Sequence, residues 1–145
     1  MQEDRKITKE EIIELVKREE SHFYDHKSLE VAGEKIQKIA VAFANADGGE
    51  FIIGIKDSKE SSIPKERWQG IESKEQFNFV FQNLNEISPT IPHEWEFLKD
   101  EDGKFALRIS IEKSTSVHKT AKNLVFIRKS AQSLPLKDID KIRVC

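Results

Sequence analysis

Residues Ala32 to Asp57 read AGEKIQKIAVAFANADGGEFIIGIKD, and this stretch decides the fold. Apolar side chains recur through its first half at the spacing of one helix face, which predicts a helix over Ala32–Ala44. Asn45 and the Gly48-Gly49 pair supply backbone conformations that end a helix and reverse the chain. Phe51–Ile55 follows as a continuous apolar run, which is typical of a strand at the centre of a sheet.

The flanking sequence adds further helices and strands. Thr8 and Glu11 form a capping box, which predicts a first helix from Lys9 to Arg18. Ser73 is placed to cap another helix, which ends before Ser88. The other segments predict strands at His22–Lys27, Trp95–Leu98, Lys104–Ile111 and Leu124–Arg128, and a long loop over Lys56–Gly70 that forms a small hairpin ending near Trp68. This mixture predicts an α+β domain with a mixed β-sheet packed with α-helices.

Composition limits the class of protein. With 145 residues, 37% hydrophobic and 34% charged, the chain has the size of one domain, residues 1–145. It has no apolar run near the ~18 to 20 residues that cross a bilayer, so we expect a cytoplasmic protein without a membrane partner. A single cysteine, Cys145, cannot build a thiolate zinc site, so no structural zinc is expected. The chain ends there without a polar tail, as the N-terminal module of a longer protein would.

Charge is divided unevenly along the chain. Residues 1–102 carry 14 basic and 23 acidic side chains, whereas residues 103–145 carry 10 basic and 3 acidic ones. A basic segment of this kind suits phosphate binding that weakens as the salt concentration rises. The candidate nucleic-acid contacts are Lys113, His118, Lys119, Lys122, Arg128 and Lys129, followed by Lys137, Lys141 and Arg143. Charge alone is equally consistent with a solvated surface that binds no partner.

Three acids and a lysine gather around the first predicted strand. In an extended His22–Lys27 segment, Asp25 and Lys27 share one face. The turn after the first helix can bring Glu20 back towards them, and Asp57 comes just after the apolar strand. These three carboxylates could surround Mg²⁺ or Mn²⁺ while Lys27 faces a phosphate, an arrangement suited to phosphodiester hydrolysis. The alternative is a structural ion pair.

Several motifs, taken in order, resemble the AlbA-like (AlbA_2) domain of the Schlafen family. They are Glu20-x4-Asp25-x-Lys27, AFANADGG over residues 42–49, IIGIKD over residues 52–57, and the later segments Ser88-Pro89, His118-Lys119-Thr120 and Phe126–Ala131. The resemblance implies an Alba-like fold that binds nucleic acid. Family members with ribonuclease activity cut transfer and ribosomal RNA with three carboxylates, which correspond here to Glu20, Asp25 and Asp57, accompanied by Lys27.

The chain departs from the family pattern at three places. Asp25 stands where the family has glutamate, which shortens the reach of the second acid by one methylene. His26 replaces a phenylalanine, and Arg128-Lys129-Ser130 lacks the family's glycine. One cysteine leaves no counterpart of the zinc site of mammalian relatives. No phosphate-loop motif supports the ATP binding attributed to bacterial relatives, so ATP is not an expected cofactor.

Three functions remain open at the level of sequence. The leading hypothesis is a metal-dependent endoribonuclease domain that acts on structured RNA such as transfer RNA. The first alternative is a non-catalytic module that recruits a larger protein to DNA or RNA. The second alternative is a dimerisation or partner-binding domain that uses its apolar helices, and a homodimer is compatible with each of the three.

Overall fold

A computed structural model describes residues 4–136, so the predicted contacts Lys137, Lys141 and Arg143 lie outside the described residues. The helices are α1 (Lys9–Lys17), α2 (Gly33–Asn45), α3 (Pro64–Arg67) and α4 (Asn78–Asn85), and a 3-10 turn over Lys74–Phe77 precedes α4. The strands are β1 (Arg5–Lys6), β2 (Tyr24–Lys27), β3 (Gly49–Ile53), β4 (His93–Lys99), β5 (Phe105–Ile111), β6 (Val125–Lys129) and β7 (Gln132–Leu136).

The first five strands form one mixed sheet in the order β1-β4-β5-β3-β2. β2 runs parallel to β3, whereas β5 runs antiparallel to both β3 and β4. β6 and β7 form a separate antiparallel hairpin, and β6 packs against α2. This arrangement of helices around a mixed sheet confirms the predicted α+β class.

The turn between α2 and β3 explains the double glycine. Gly48 has a φ of 81°, a conformation that favours glycine, and a Cβ there would lie 2.9 Å from the carbonyl oxygen of Ile111. A Cβ on Gly49 would lie 2.6 Å from the ring of Phe43, a fully buried side chain of α2. Only glycines therefore let the chain reverse this closely against its own helix.

Apolar side chains cover both faces of the sheet. One cluster joins α2 and α4 to Phe51 and Ile53 of β3. The other joins Ile12 and Val16 of α1 to Ile52, the intervening residue of β3. Successive residues of β3 thus serve opposite layers, as strand geometry requires. Of the strand β2, Tyr24 joins the cluster on the α1 side.

Element boundaries differ from the prediction where backbone hydrogen bonds form turns. β2 begins at Tyr24 instead of His22, because the N–H of Ser21 donates to the Tyr24 carbonyl at 2.9 Å and closes a turn. The loop after β3 closes near Trp68 as predicted, but its middle forms α3. The capping box that begins α1 is confirmed. Within residues 4–136, no helix combines the length and apolar character needed to span a bilayer.

Candidate functional site

Arg128 of β6 and Asp25 of β2 form the buried centre of the site. The two residues are 3% and 4% exposed, and Arg128 Nη1 donates to Asp25 Oδ2 at 2.9 Å. The other donors of the guanidinium bond to the carbonyl oxygens of Ser21 and Tyr24 and to the Ser133 hydroxyl. Since all five N–H donors are used, none remains for a phosphate. We therefore remove Arg128 from the candidate phosphate contacts and assign it the positioning of Asp25.

Glu20 and Lys27 complete the cluster on the outer side of Asp25. Lys27 Nζ lies 3.7 Å from Asp25 Oδ1 and 3.9 Å from Glu20 Oε2, so strand and turn bring the three side chains together as predicted. Burial, followed by a hydrogen bond to Asp25 and the charge of Asp25, raises the pKa of Glu20 to about 7. The positive charges of Lys27 and Arg128 oppose this rise only in part.

A polar cavity of about 370 Å³ adjoins the cluster. It lies between the C-terminal end of α1 and the loop after β3, and Glu20, His26 and Asp57 line it. The backbone N–H of Lys59 donates to Asp57 Oδ1 at 2.9 Å and holds the pKa of Asp57 below its usual value. Asp25 is not among the lining residues. Across residues 4–136, no three acidic, histidine or cysteine side chains stand close enough together to hold a metal ion.

The donor chemistry of the predicted metal ligands nevertheless fits a hard cation. Glu20, Asp25 and Asp57 offer carboxylate oxygens, which Mg²⁺ and Mn²⁺ prefer. Burial and the neighbouring Asp25 raise the pKa of Glu20 and disfavour its ionised form, which a nearby cation would favour. Glu20 therefore lies close to both other acids: it neighbours Asp25 in the cluster, and it lines the same cavity as Asp57.

His118 is an internal residue that joins three segments. It is 2% exposed, and its ring nitrogens contact the Pro89 carbonyl oxygen at 2.7 Å and the Ser114 hydroxyl at 2.6 Å. Its backbone N–H donates to Asn45 Oδ1, while the Asn45 amide donates to the carbonyl oxygens of His118 and Phe126. This burial removes His118 from the candidate phosphate contacts. Asn45 thereby links α2 both to the His118 segment and to β6.

The remaining predicted lysines are at least partly exposed. Lys113 lies 3.8 Å from Asp47, a surface carboxylate that also contacts His22. Lys122 pairs with Glu34 at 2.8 Å and so is already partly neutralised. Lys119 is half-buried, whereas Lys129 is exposed directly beyond Arg128. Lys113 and Lys129 are therefore the best placed of this set to contact a phosphate backbone.

Two residues near the acids are absent from the sequence-based site. Arg67, at the end of α3, lines the same cavity as Glu20 and Asp57. It belongs to a polar loop without a motif, so no sequence signal identified it. Phe23 is an exposed aromatic residue in the turn before β2. Its position between two acids was a usable signal, since apolar residues seldom stand in exposed turns.

The chain matches a protein family in sequence and a solved structure in fold. No curated protein matches it. A solved structure that it matches is the DIP2311 protein from Corynebacterium diphtheriae, with a TM-score of 0.53, 16% identity and coverage of 88% of this chain. The chain spans 25% of that protein, and the likeness concerns the fold alone. The family model described as "Schlafen, AlbA_2" matches residues 9–137, so the chain belongs to this family, which indicates a function related to nucleic acids.

Proposed function

We propose that this domain binds structured RNA, such as transfer RNA, and cleaves it with the help of Mg²⁺ or Mn²⁺. The observation that carries the proposal is that the carboxyl groups of Glu20 and Asp25 converge on Lys27 Nζ, at 3.9 and 3.7 Å. Burial, together with the hydrogen bond to Asp25 and its charge, raises the pKa of Glu20 to about 7 and so disfavours its ionised form. Perturbed acids beside a cavity are typical of sites that bind or react.

Each residue has its own role in this proposal. Glu20, Asp25 and Asp57 would hold the cation through carboxylate oxygens. When bound, the cation activates a water molecule and stabilises negative charge on the phosphate. The partly exposed Lys27 can contact a phosphate oxygen and stabilise the charge that develops on it in the transition state. Lys113 and Lys129 would bind neighbouring phosphates of the RNA backbone.

Incubating the purified domain with a transfer-RNA pool tests the proposal. We expect cleavage with Mg²⁺ or Mn²⁺ that stops when a chelator is added. Asp57→Asn and Lys27→Met should each lower the rate about 100-fold, because each removes one electrostatic contact to the reacting groups. Glu72→Gln serves as the matched control, because it removes an exposed acid paired with Lys104 outside the cluster.

Asp57 and Lys27 are better test positions than Asp25, because neither is buried and both variants should fold. Circular dichroism and thermal unfolding verify that they do. Intact RNA after incubation of the folded wild-type domain with either cation would contradict the enzymatic proposal.

One observation favours a second function, the binding of RNA or DNA without cleavage. Arg128 already neutralises Asp25 at 2.9 Å, so the buried acid is satisfied without a cation. Under this alternative, Lys113→Met combined with Lys129→Met should weaken RNA binding and reduce its salt dependence by about two counterions. Titrations monitored by fluorescence anisotropy at several salt concentrations measure this, and the RNA would stay intact with every cation.

A further inference from the structure

Arg67 is a buried arginine whose position is fixed by the backbone. It is 9% exposed at the end of α3. Its Nε donates to the Lys56 carbonyl oxygen at 2.9 Å, and the Lys56 N–H donates to the Arg67 carbonyl oxygen at 2.8 Å. The bridge between Ile55 and Trp68 extends this pairing by one residue on each side. The guanidinium is therefore anchored on strand-like backbone, although α3 itself is a single turn.

The outer part of this guanidinium has no partner among residues 4–136. Arginine carries five N–H donors, and only the Nε donor of Arg67 has an acceptor within the described residues. Arg67 also forms no ion pair there, although buried charges are normally paired. By contrast, the buried Arg128 of the same domain has the Asp25 carboxylate at 2.9 Å, and all of its N–H donors are hydrogen-bonded. The Nη atoms of Arg67 are not fully sealed from solvent, and Arg67 lines the polar cavity.

The cavity that Arg67 lines contains both basic and acidic side chains. Lys17 lines it together with Arg67, whereas the guanidinium of Arg18, another lining residue, pairs with Glu50. Glu19, Glu20 and Asp57 line it as well. Asp57 forms no ion pair with Arg67, and its Oδ1 accepts the Lys59 N–H. The cavity therefore offers the Nη donors of Arg67 to an anion, and Asp57 is not tied to Arg67 by an ion pair.

We propose that Arg67 binds a phosphate group of the nucleic acid in this cavity, adjacent to Glu20 and Asp57. The planar fork of a guanidinium matches two oxygens of a phosphate, which gives orientation as well as charge. This inference rests on the RNA-binding part of the proposed function. It does not depend on whether the RNA is cleaved. A phosphate seated here would place the neighbouring phosphodiester bonds close to the acids of the site.

RNA binding measured without divalent cations tests this inference. The probe is a short 5′-hydroxyl RNA hairpin, followed by fluorescence anisotropy with the full chain. Arg67→Met should weaken binding about tenfold, since a charge-assisted bidentate contact is lost. Arg5→Met removes the same charge from β1, at the opposite edge of the sheet from β2, and should change the affinity less than about twofold.

A second variant separates folding from binding. Arg67→Lys keeps the charge but loses the planar fork, and it should bind with intermediate affinity. Thermal unfolding followed by circular dichroism confirms that the variants compared are folded. Wild-type affinity in a folded Arg67→Met variant would overturn the inference, because Arg67 would then be a purely structural residue.

A 5′-phosphorylated copy of the hairpin distinguishes the two sources of the phosphate. Equal affinity for both hairpins, lowered by Arg67→Met in both, assigns an internal phosphodiester. Tighter binding of the phosphorylated hairpin that Arg67→Met abolishes assigns a terminal phosphate. A wild-type domain that binds RNA through Arg67 yet never cleaves it would refute the enzymatic proposal and leave the role of Arg67 intact.

Discussion

Arg128 and Asp25 are separated by 103 residues in the sequence and by 2.9 Å in the structure, where they form a buried ion pair. On its outer side the same carboxylate faces Lys27 at 3.7 Å. Asp25 is therefore held between one internal and one external positive charge. In the proposed enzyme Asp25 would have two roles, because it would anchor the hairpin β6-β7 and also provide a carboxylate oxygen as a metal ligand.

Removing one member of this pair should destabilise the fold strongly. Arg128→Met leaves the Asp25 carboxylate buried without its main partner, which should lower the free energy of unfolding by about 3 to 5 kcal/mol. Arg128→Met combined with Asp25→Asn should recover part of that loss, because no buried charge remains unpaired. Urea denaturation of both single variants and the double variant measures the coupling. Strictly additive losses would show that the two charges do not interact.

The pKa of Glu20 makes the stability of the domain depend on pH. The folded protein keeps the Glu20 proton up to about pH 7, whereas the unfolded chain releases it near 4.5. Folding takes up a proton between these values, so the contribution of Glu20 to stability falls as the pH rises through them. Since the side chain is 33% exposed, we expect a change of only about 1 to 2 kcal/mol.

Glu20→Gln provides the control for this pH dependence, because an amide does not titrate. The variant should match wild-type stability near pH 4 and exceed it near pH 8, as measured by thermal unfolding. A wild-type protein that gained stability over the variant as the pH rose would show that the sign is wrong.

A divalent cation at the acidic pair should lower the pKa of Glu20. The cation favours the ionised carboxylate, so the midpoint of the Glu20 titration should fall below about 7 when Mg²⁺ or Mn²⁺ is added. Side-chain carboxyl NMR during a pH titration with Mg²⁺ detects this shift without any RNA present. Glu72, an exposed acid outside the cluster, is the internal reference. An unchanged midpoint for Glu20 in saturating Mg²⁺ would argue against a metal at this pair.

Asn45 should be important for stability because its side chain makes three hydrogen bonds to backbone groups. It accepts from the His118 N–H at 2.9 Å and donates to the carbonyl oxygens of His118 and Phe126 at 3.1 and 3.0 Å. Asn45→Ala should lower the free energy of unfolding by about 2 to 3 kcal/mol, since three backbone groups lose a partner. Asn85→Ala, at the exposed end of α4, is the matched control. Equal losses for the two variants would contradict the bridging role of Asn45.

Replacing Ser130 by glycine should stabilise the fold. It is the first of two residues that connect β6 to β7, and its φ is 53°, which favours glycine. Ser130→Gly should therefore raise the free energy of unfolding by about 0.5 to 1 kcal/mol. Ser116→Gly changes an exposed serine without a positive φ and should bring no gain. Chemical denaturation of the two variants gives the comparison.

Local patterns predict most of the fold and part of the site. Thr8, the AFANADGG segment and the alternation in β5 act over a few residues, so the sequence shows them directly. Strand alternation also places Asp25 beside Lys27. The buried partners of Asp25 and Asn45 come from distant segments, and their positions depend on how the hairpin β6-β7 packs against α2. Charge counts in the C-terminal third therefore did not distinguish the internal Arg128 from the surface residue Lys129.

The pairing of Arg128 with Asp25 sets the order in which the site can form during synthesis. Glu20, Asp25, Lys27 and Asp57 leave the ribosome well before β6, so the acids exist for a time without the guanidinium that anchors them. Domains generally fold as units. A ribosome-bound chain that stops before Val125 would thus contain every proposed metal ligand but would lack the buried counter-charge of Asp25. We therefore expect the proposed activity to require synthesis of the hairpin β6-β7.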